Sequence, residues 1–315
     1  MIERYPRNVT PTPRKVILDT DIGTDVDDAM ALCQILGSPE ILLDSATTVY
    51  GDTILRGRIA HRYARHAGRV LDVHAGIGAP STGRTVYWPG HEGALHEGID
   101  AEPTPPTDAV EHLTRRLIEA QGAIDVVAIG PLTNLAALVQ REPEAVSRIR
   151  HLWLMGGDFG PDPIAEHNIL SDSAAARVVL SAGIPTTITG LEVTRRLRIG
   201  TEALERIRSA GDLGRVLAAE MSHWRRFWNE EWNVPHDPIT VLTLTRPELF
   251  GFTQQGRVEV TVGGADDGRC TFVPDDNGTI RLTSSLDAEA CAEAIIDAIV
   301  RAGTDGSGAP HGHRP

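Results

Sequence analysis

Residues 17–32 read ILDTDIGTDVDDAMAL: an apolar run, five aspartates within the ten positions Asp19 to Asp28, then apolar residues at helical spacing. Asp19 and Asp21 alternate at the end of a predicted strand, Gly23 permits a turn, and Asp27 and Asp28 fall in the first turn of a predicted helix. That helix carries Ala29, Leu32, Cys33, Ile35 and Leu36. A helix N-terminus favours acidic side chains, but one or two suffice for a cap. Close carboxylates repel and raise one another's proton affinity unless a positive charge sits among them. The cluster therefore points to a bound cation or to acid/base chemistry.

The same alternation continues outward. Short apolar runs at 15–19, 41–49, 70–76, 124–130, 151–157 and 185–190 predict strands, and 27–37, 53–67, 107–121, 132–141, 172–182, 201–209, 212–230 and 286–302 predict helices. Strands separated by helices imply crossover connections and a mostly parallel, doubly wound α/β sheet with helices on both faces. Two later segments, GRVEVTVGG (256–264) and GTIRLTSS (278–285), read as a small antiparallel addition near the C-terminus. Residues 14–302 are expected to form a single domain, flanked by Pro- and Gly-rich ends, 1–13 and 303–315, expected to be disordered. In open parallel sheets the ligand crevice lies beyond the carboxyl ends of the strands, so the polar residues after each strand matter most.

Composition narrows the partners. The chain has 315 residues, 41% of them hydrophobic, a formal charge of −13 and a pI near 5.4. There is no basic footprint for nucleic acid or for an anionic membrane surface. Cys33, Cys270 and Cys291 are odd in number and form no C-x-x-C pair, which argues for a reducing compartment. No run has signal-peptide or membrane-spanning character, and a cytoplasmic location is expected.

Three further constellations follow strands or lie far along the chain. PHDP (235–238) reads as a loop, in which an Asp beside a metal site offers a ligand and a His a proton donor. MGGDFGPDPIAEHNILSD (155–172) places Glu166 and Asn168, polar groups of the kind that grip sugar hydroxyls, after a glycine pair that permits close backbone approach, and an ordinary Gly-rich loop is the alternative reading. GPLTNLA (130–136) is a strand-to-helix turn that needs no ligand to explain it. An EF-hand fits poorly, because counting from Asp19 puts Gly23 at the fifth position and Met30 at the twelfth. A haloacid-dehalogenase-type Asp-x-Asp-x-Thr is nearer, but Thr24 falls one place late.

The ordered set DTDIGTDVDDAMAL, TTVYGD, GPLTNLA, LMGG, AEHNILSD and PHDP resembles the nucleoside hydrolase family of the inosine/uridine-preferring kind. The resemblance implies Ca²⁺ held by Asp21, Asp28 and Asp237 and by the backbone carbonyl of Ile129. It implies a ribose pocket lined by Asp27, Asp52, Met155, Glu166 and Asn168, with His236 near the leaving base and His91 approaching from a flexible loop. A homodimer or homotetramer is implied as well. Two positions depart from the family's spelling. Five residues separate Asp21 from Asp27, so Asp25 competes with Asp21 for the metal, and Asp52 replaces the family's Asn.

The chemistry of the residues agrees with that resemblance. Cleaving an N-glycosidic bond passes through an oxocarbenium-like centre, so the site needs an activated water, negative charge near the sugar and help for the base. Asp21 is the expected base toward water and His236 the expected acid toward the leaving group, with Trp88, Trp228 or Trp232 available for stacking. The expected activity is hydrolysis of ribonucleosides to ribose and free base. A metal-dependent phosphatase using Asp19 or Asp21, and a non-catalytic Ca²⁺-dependent sugar- or nucleoside-binding protein, are the alternatives.

Overall fold

The structure is a computed structural model that describes residues 12–120 and 122–305. Its first half runs β1 (Arg14–Thr20), α1 (Asp27–Leu36), β2 (Ile41–Thr48), α2 (Thr53–His66), β3 (Val73–Ala75), α3 (Ala109–Ala120), β4 (Ile124–Ala128), α4 (Thr133–Arg141), α5 (Pro143–Val146) and β5 (Ile149–Met155). There follow α6 (His167–Ser171), α7 (Ser173–Leu180), β6 (Thr186–Thr189), α8 (Leu191–Thr194), α9 (Thr201–Arg208), α10 (Gly211–Trp228) and α11 (His236–Thr245). The chain closes with β7 (Phe250–Phe252), β8 (Gly256–Val260), β9 (Cys270–Pro274), β10 (Ile280–Leu286) and α12 (Ala288–Asp305).

The sheet order is β3-β2-β1-β4-β5-β6-β10-β8-β9, with β7 also pairing β10. From β3 to β6 every pairing is parallel, as the intervening helices require. β10 extends the sheet parallel to β6, whereas β8, β9 and β7 are joined antiparallel. The predicted C-terminal addition thus has a mixed role, and it includes β9, a short strand ending at Pro274 that the sequence pattern does not betray. Two apolar layers cover the faces. One joins α1 and α2 to α9 through α12, and the other joins α3, α4 and α7 to the centre of the sheet.

Two boundaries differ from expectation. The helix α12 continues through Asp305, so residues 303–305 are helical rather than part of a disordered tail; the rest of that tail and residues 1–11 lie outside the described residues. PHDP is not a loop: His236 and Asp237 open α11, which is buried along most of its length. Pro235 caps that helix and Pro238 sits in its first turn, where backbone N–H groups have no partner within the helix. This helix lays Asp237 against the strand ends where the aspartate turn emerges. Among the described residues no helix is long and apolar enough to cross a membrane.

Candidate active site

A cavity of about 420 Å³ opens beyond the carboxyl ends of β1, β4 and β5, within the size range of small-molecule sites. Asp21, Asp25, Asp27, Asp28, Ile129, Met155, Glu166, Asn168, His236 and Asp237 all line it. Most of the residues expected from the sequence therefore meet, from elements spread over more than 200 positions.

The acid turn is held from both sides. The Thr20 hydroxyl donates to Asp28 Oδ1 and accepts from the Ile22 N–H. From α2 the fully buried guanidinium of Arg56 donates to the carbonyls of Tyr50, Ile22 and Asp21 and to Thr24 Oγ1, and stacks on Trp88 at 5.0 Å. The bends at both anchors require unusual backbone: Gly23 has φ 111° and Tyr50 φ 67°. Gly130 is required by proximity, since a Cβ there would lie 2.8 Å from Asp21 Oδ1. Arg56 is invisible to sequence reasoning, because α2 is rich in arginines and nothing marks this one as buried.

Asp27, Asp28 and Asp237 each offer a carboxylate oxygen, all within 4.8 Å of one another, and all three are nearly fully buried. Burial, then repulsion by neighbouring aspartates, pushes each of their proton affinities well above the ordinary carboxyl value. Asp21 is raised by burial too, opposed by Arg56 and His167. Among the described residues these carboxylates have no ion-pair partner, and an all-oxygen donor set of this kind is the chemistry of a hard cation site. Here Asp27 converges with Asp28 and Asp237, while Asp21 and Asp25 line the same cavity and Asp25 Oδ1 accepts from the Val26 N–H at 2.5 Å. Asp72, His74 and His112 also converge, but their ring nitrogens already face Asp108, Asp72, Ser45 and Arg115.

The expected sugar-binding residues form a connected set. Asn168 Nδ2 donates to the Ile129 carbonyl at 2.9 Å and approaches the Met155 carbonyl and sulfur. Glu166 caps α6, accepting from the N–H groups of Asn168, Ile169 and Gly157. His236 Nδ1 lies 2.7 Å from Thr194 Oγ1, and burial followed by the Arg195 charge pushes its ring down to about 4, so it is neutral at pH 7 and carries one N–H.

Other expected residues sit elsewhere. Asp52 is exposed at the N-cap of α2, where its carboxylate accepts from the Leu55 N–H at 2.9 Å; it is not part of the cavity wall. His91 bonds the Thr24 carbonyl at 2.9 Å and lines a smaller neighbouring pocket that shares Thr24, Asp25 and Trp224 with the main one. Of the three tryptophans expected to stack on a base only Trp228 lines the cavity, whereas Trp88 covers Arg56 and Trp232 covers Arg198. Trp224, Tyr87, His167 and Arg195 are wall residues that the sequence pattern does not single out. Asp19 is fully buried away from the wall, bonded by Thr47 and Asn134, and burial raises it to about 7. That placement disfavours a phosphatase nucleophile at Asp19.

Comparison with known proteins agrees with this geometry. Residues 16–296 match the family model described as inosine-uridine preferring nucleoside hydrolase. The pyrimidine-specific ribonucleoside hydrolase RihA of Photobacterium profundum is 32% identical over 259 residues, covering 75% of this chain and 81% of that one. A probable uridine nucleosidase 2 of Arabidopsis thaliana is 28% identical, covering 91% and 98% respectively. Among solved structures, the plant nucleoside hydrolase PpNRh1 superposes with a TM-score of 0.80 at 27% identity, over 92% of this chain and 99% of that one.

Proposed function

The chain belongs to the inosine-uridine preferring nucleoside hydrolase family, and from that premise we propose that it splits ribonucleosides into ribose and free base with a Ca²⁺-type cation at the aspartate cluster. The observation that carries the reading is the convergence of Asp27, Asp28 and Asp237 in the lining of a cavity that Glu166, Asn168 and His236 also line. Asp27, Asp28 and Asp237 would hold the cation, with Asp21 and the Ile129 carbonyl beside them. When bound, such a cation supplies fixed positive charge that polarises water and orients vicinal hydroxyls.

The chain's own residues account for the rest. Glu166 and Asn168, fixed by backbone hydrogen bonds, present rigid polar groups to the ribose. Asp21, whose proton affinity is raised by burial, is suited to take a proton from the attacking water. The water oxygen bonds C1′ as the C1′–N bond breaks, and that electron pair stays on the base nitrogen. His236, neutral and positioned by Thr194, offers its N–H to the departing base. The aromatic faces of Trp224 and Trp228 would stack on that base.

The test is a panel of uridine, cytidine, inosine and adenosine, assayed for reducing sugar with and without a chelator. Sugar release that is lost on chelation and restored by Ca²⁺ is expected. Binding of nucleoside without any sugar release would favour the binding-protein alternative.

A further inference from the structure

The charge around the cavity is lopsided. Its described wall carries the aspartate cluster and Glu166, yet a single guanidinium, that of Arg195. Neither a hard cation nor a sugar that becomes positively charged calls for an arginine. Arg195 belongs to the His236 side of the cavity: Thr194, immediately before it, lies 2.7 Å from His236 Nδ1 through its hydroxyl, and Arg195 and His236 both line the cavity. Trp224 and Trp228 line the same cavity.

Arg195 also keeps free capacity. Its ion-pair partner Asp158 lies at 3.8 Å, beyond hydrogen-bonding reach, and the Arg195 side chain is 52% exposed. Asp158 is engaged instead with the N–H groups of Gly160 at 3.1 Å and Ile164 at 3.3 Å. The nearby Glu192 carboxylate accepts from the Phe159 N–H at 2.9 Å. Both carboxylates, Asp158 in its loop and Glu192 in the first turn of α8, thus tie down backbone, and the planar donor fork of Arg195 remains available to an incoming anion.

We propose that Arg195 is a specificity residue that selects nucleosides whose base carries a negative charge, such as a carboxylated pyrimidine, by donating to that anion while the tryptophans stack on the ring. This rests on the nucleosidase reading and adds the chemistry of the base to it. A fully charged, bidentate contact of this kind is worth about 10- to 100-fold in affinity.

The experiment measures kcat/KM for uridine, 5-carboxyuridine and uridine 5′-phosphate with the wild-type protein, Arg195→Gln and Arg195→Lys. The wild type should prefer 5-carboxyuridine to uridine. Arg195→Gln should cut the 5-carboxyuridine/uridine ratio by about 10- to 100-fold, and Arg195→Lys, which keeps the charge but loses the fork, should fall between. An unchanged ratio in Arg195→Gln overturns the proposal, because a merely structural role would lower both substrates together. A ratio change confined to uridine 5′-phosphate overturns it as well, since the anion would then be the phosphate. Hydrolysis of none of the three by a wild type that does hydrolyse inosine or adenosine overturns this proposal alone, whereas failure on those nucleosides as well would bring down the nucleosidase reading with it.

Discussion

Changing Asp237 to Asn keeps its shape and one oxygen donor but removes one charge from three carboxylates whose oxygens lie within 4.8 Å of one another. Two full charges at that separation repel by roughly 3 kcal/mol at an effective dielectric of about 20. Taking up protons relieves part of this, consistent with the raised proton affinities of all three groups. In chelator, Asp237→Asn should therefore be more stable than wild type by about 1 kcal/mol, or about 2 °C in Tm. With Ca²⁺ at about 100 times its Kd, the wild type should gain roughly 2.7 kcal/mol, or about 5 °C, and the variant little. The pH dependence follows in sign. The folded carboxyls bind protons more tightly than the unfolded ones near 3.8, so the chelated protein loses stability as pH rises from there through about 7, where Asp25 titrates, and beyond. Cation binding needs the ionised forms, so the Ca²⁺-induced shift should be larger at pH 8 than at pH 5.5. Differential scanning fluorimetry across that range reads both effects. Equal Ca²⁺ shifts in wild type and Asp237→Asn, or none in either, would refute the cation assignment.

Other substitutions separate the remaining roles. His236→Ala should retain the Ca²⁺-dependent melting shift while kcat on inosine falls by about 10²-fold, the lower end for a proton-donating group, because a ring that titrates near 4 donates as a neutral N–H. The loss should shrink on a nitrophenyl riboside, whose leaving group departs unaided, and equal losses on both substrates would make His236 structural. Asn168→Ala should raise KM for every nucleoside, since it removes the group that joins Ile129, Met155 and the sugar pocket, and unchanged KM would remove Asn168 from that pocket. Asp52→Asn should leave nucleoside kinetics unchanged, because Asp52 caps α2 outside the cavity wall; a change in base or sugar preference would contradict that placement.

Much of this site was legible because it gathers at strand ends, where an apolar run gives way abruptly to Asp, Gly and Asn. The strand, acid turn and helix of residues 14–36 show that pattern, and the structure builds them nearly as read. What stayed hidden depends on tertiary context. In α11, Ile239, Thr240, Val241, Thr243 and Thr245 are β-branched residues that locally favour a strand, and the helix is so completely enclosed that no polar face betrays its period. Arg56 and Arg195 lie among other arginines, and only the folded chain separates a buried clamp and a cavity-wall cation from solvated charge. Asp52 shows the opposite error. Its place just before Thr53 and α2 is a capping signal, and the family resemblance drew it toward the sugar instead.

The most direct test of the central claim is hydrolysis of uridine in H₂¹⁸O without phosphate, with products resolved by mass spectrometry. The account predicts uracil and free ribose in equal amounts, one ¹⁸O at ribose C1, and loss of both products on chelation with recovery on adding Ca²⁺. Uridine that binds but stays intact in the presence of Ca²⁺, or ribose that appears only as a phosphate ester when phosphate is supplied, would contradict it.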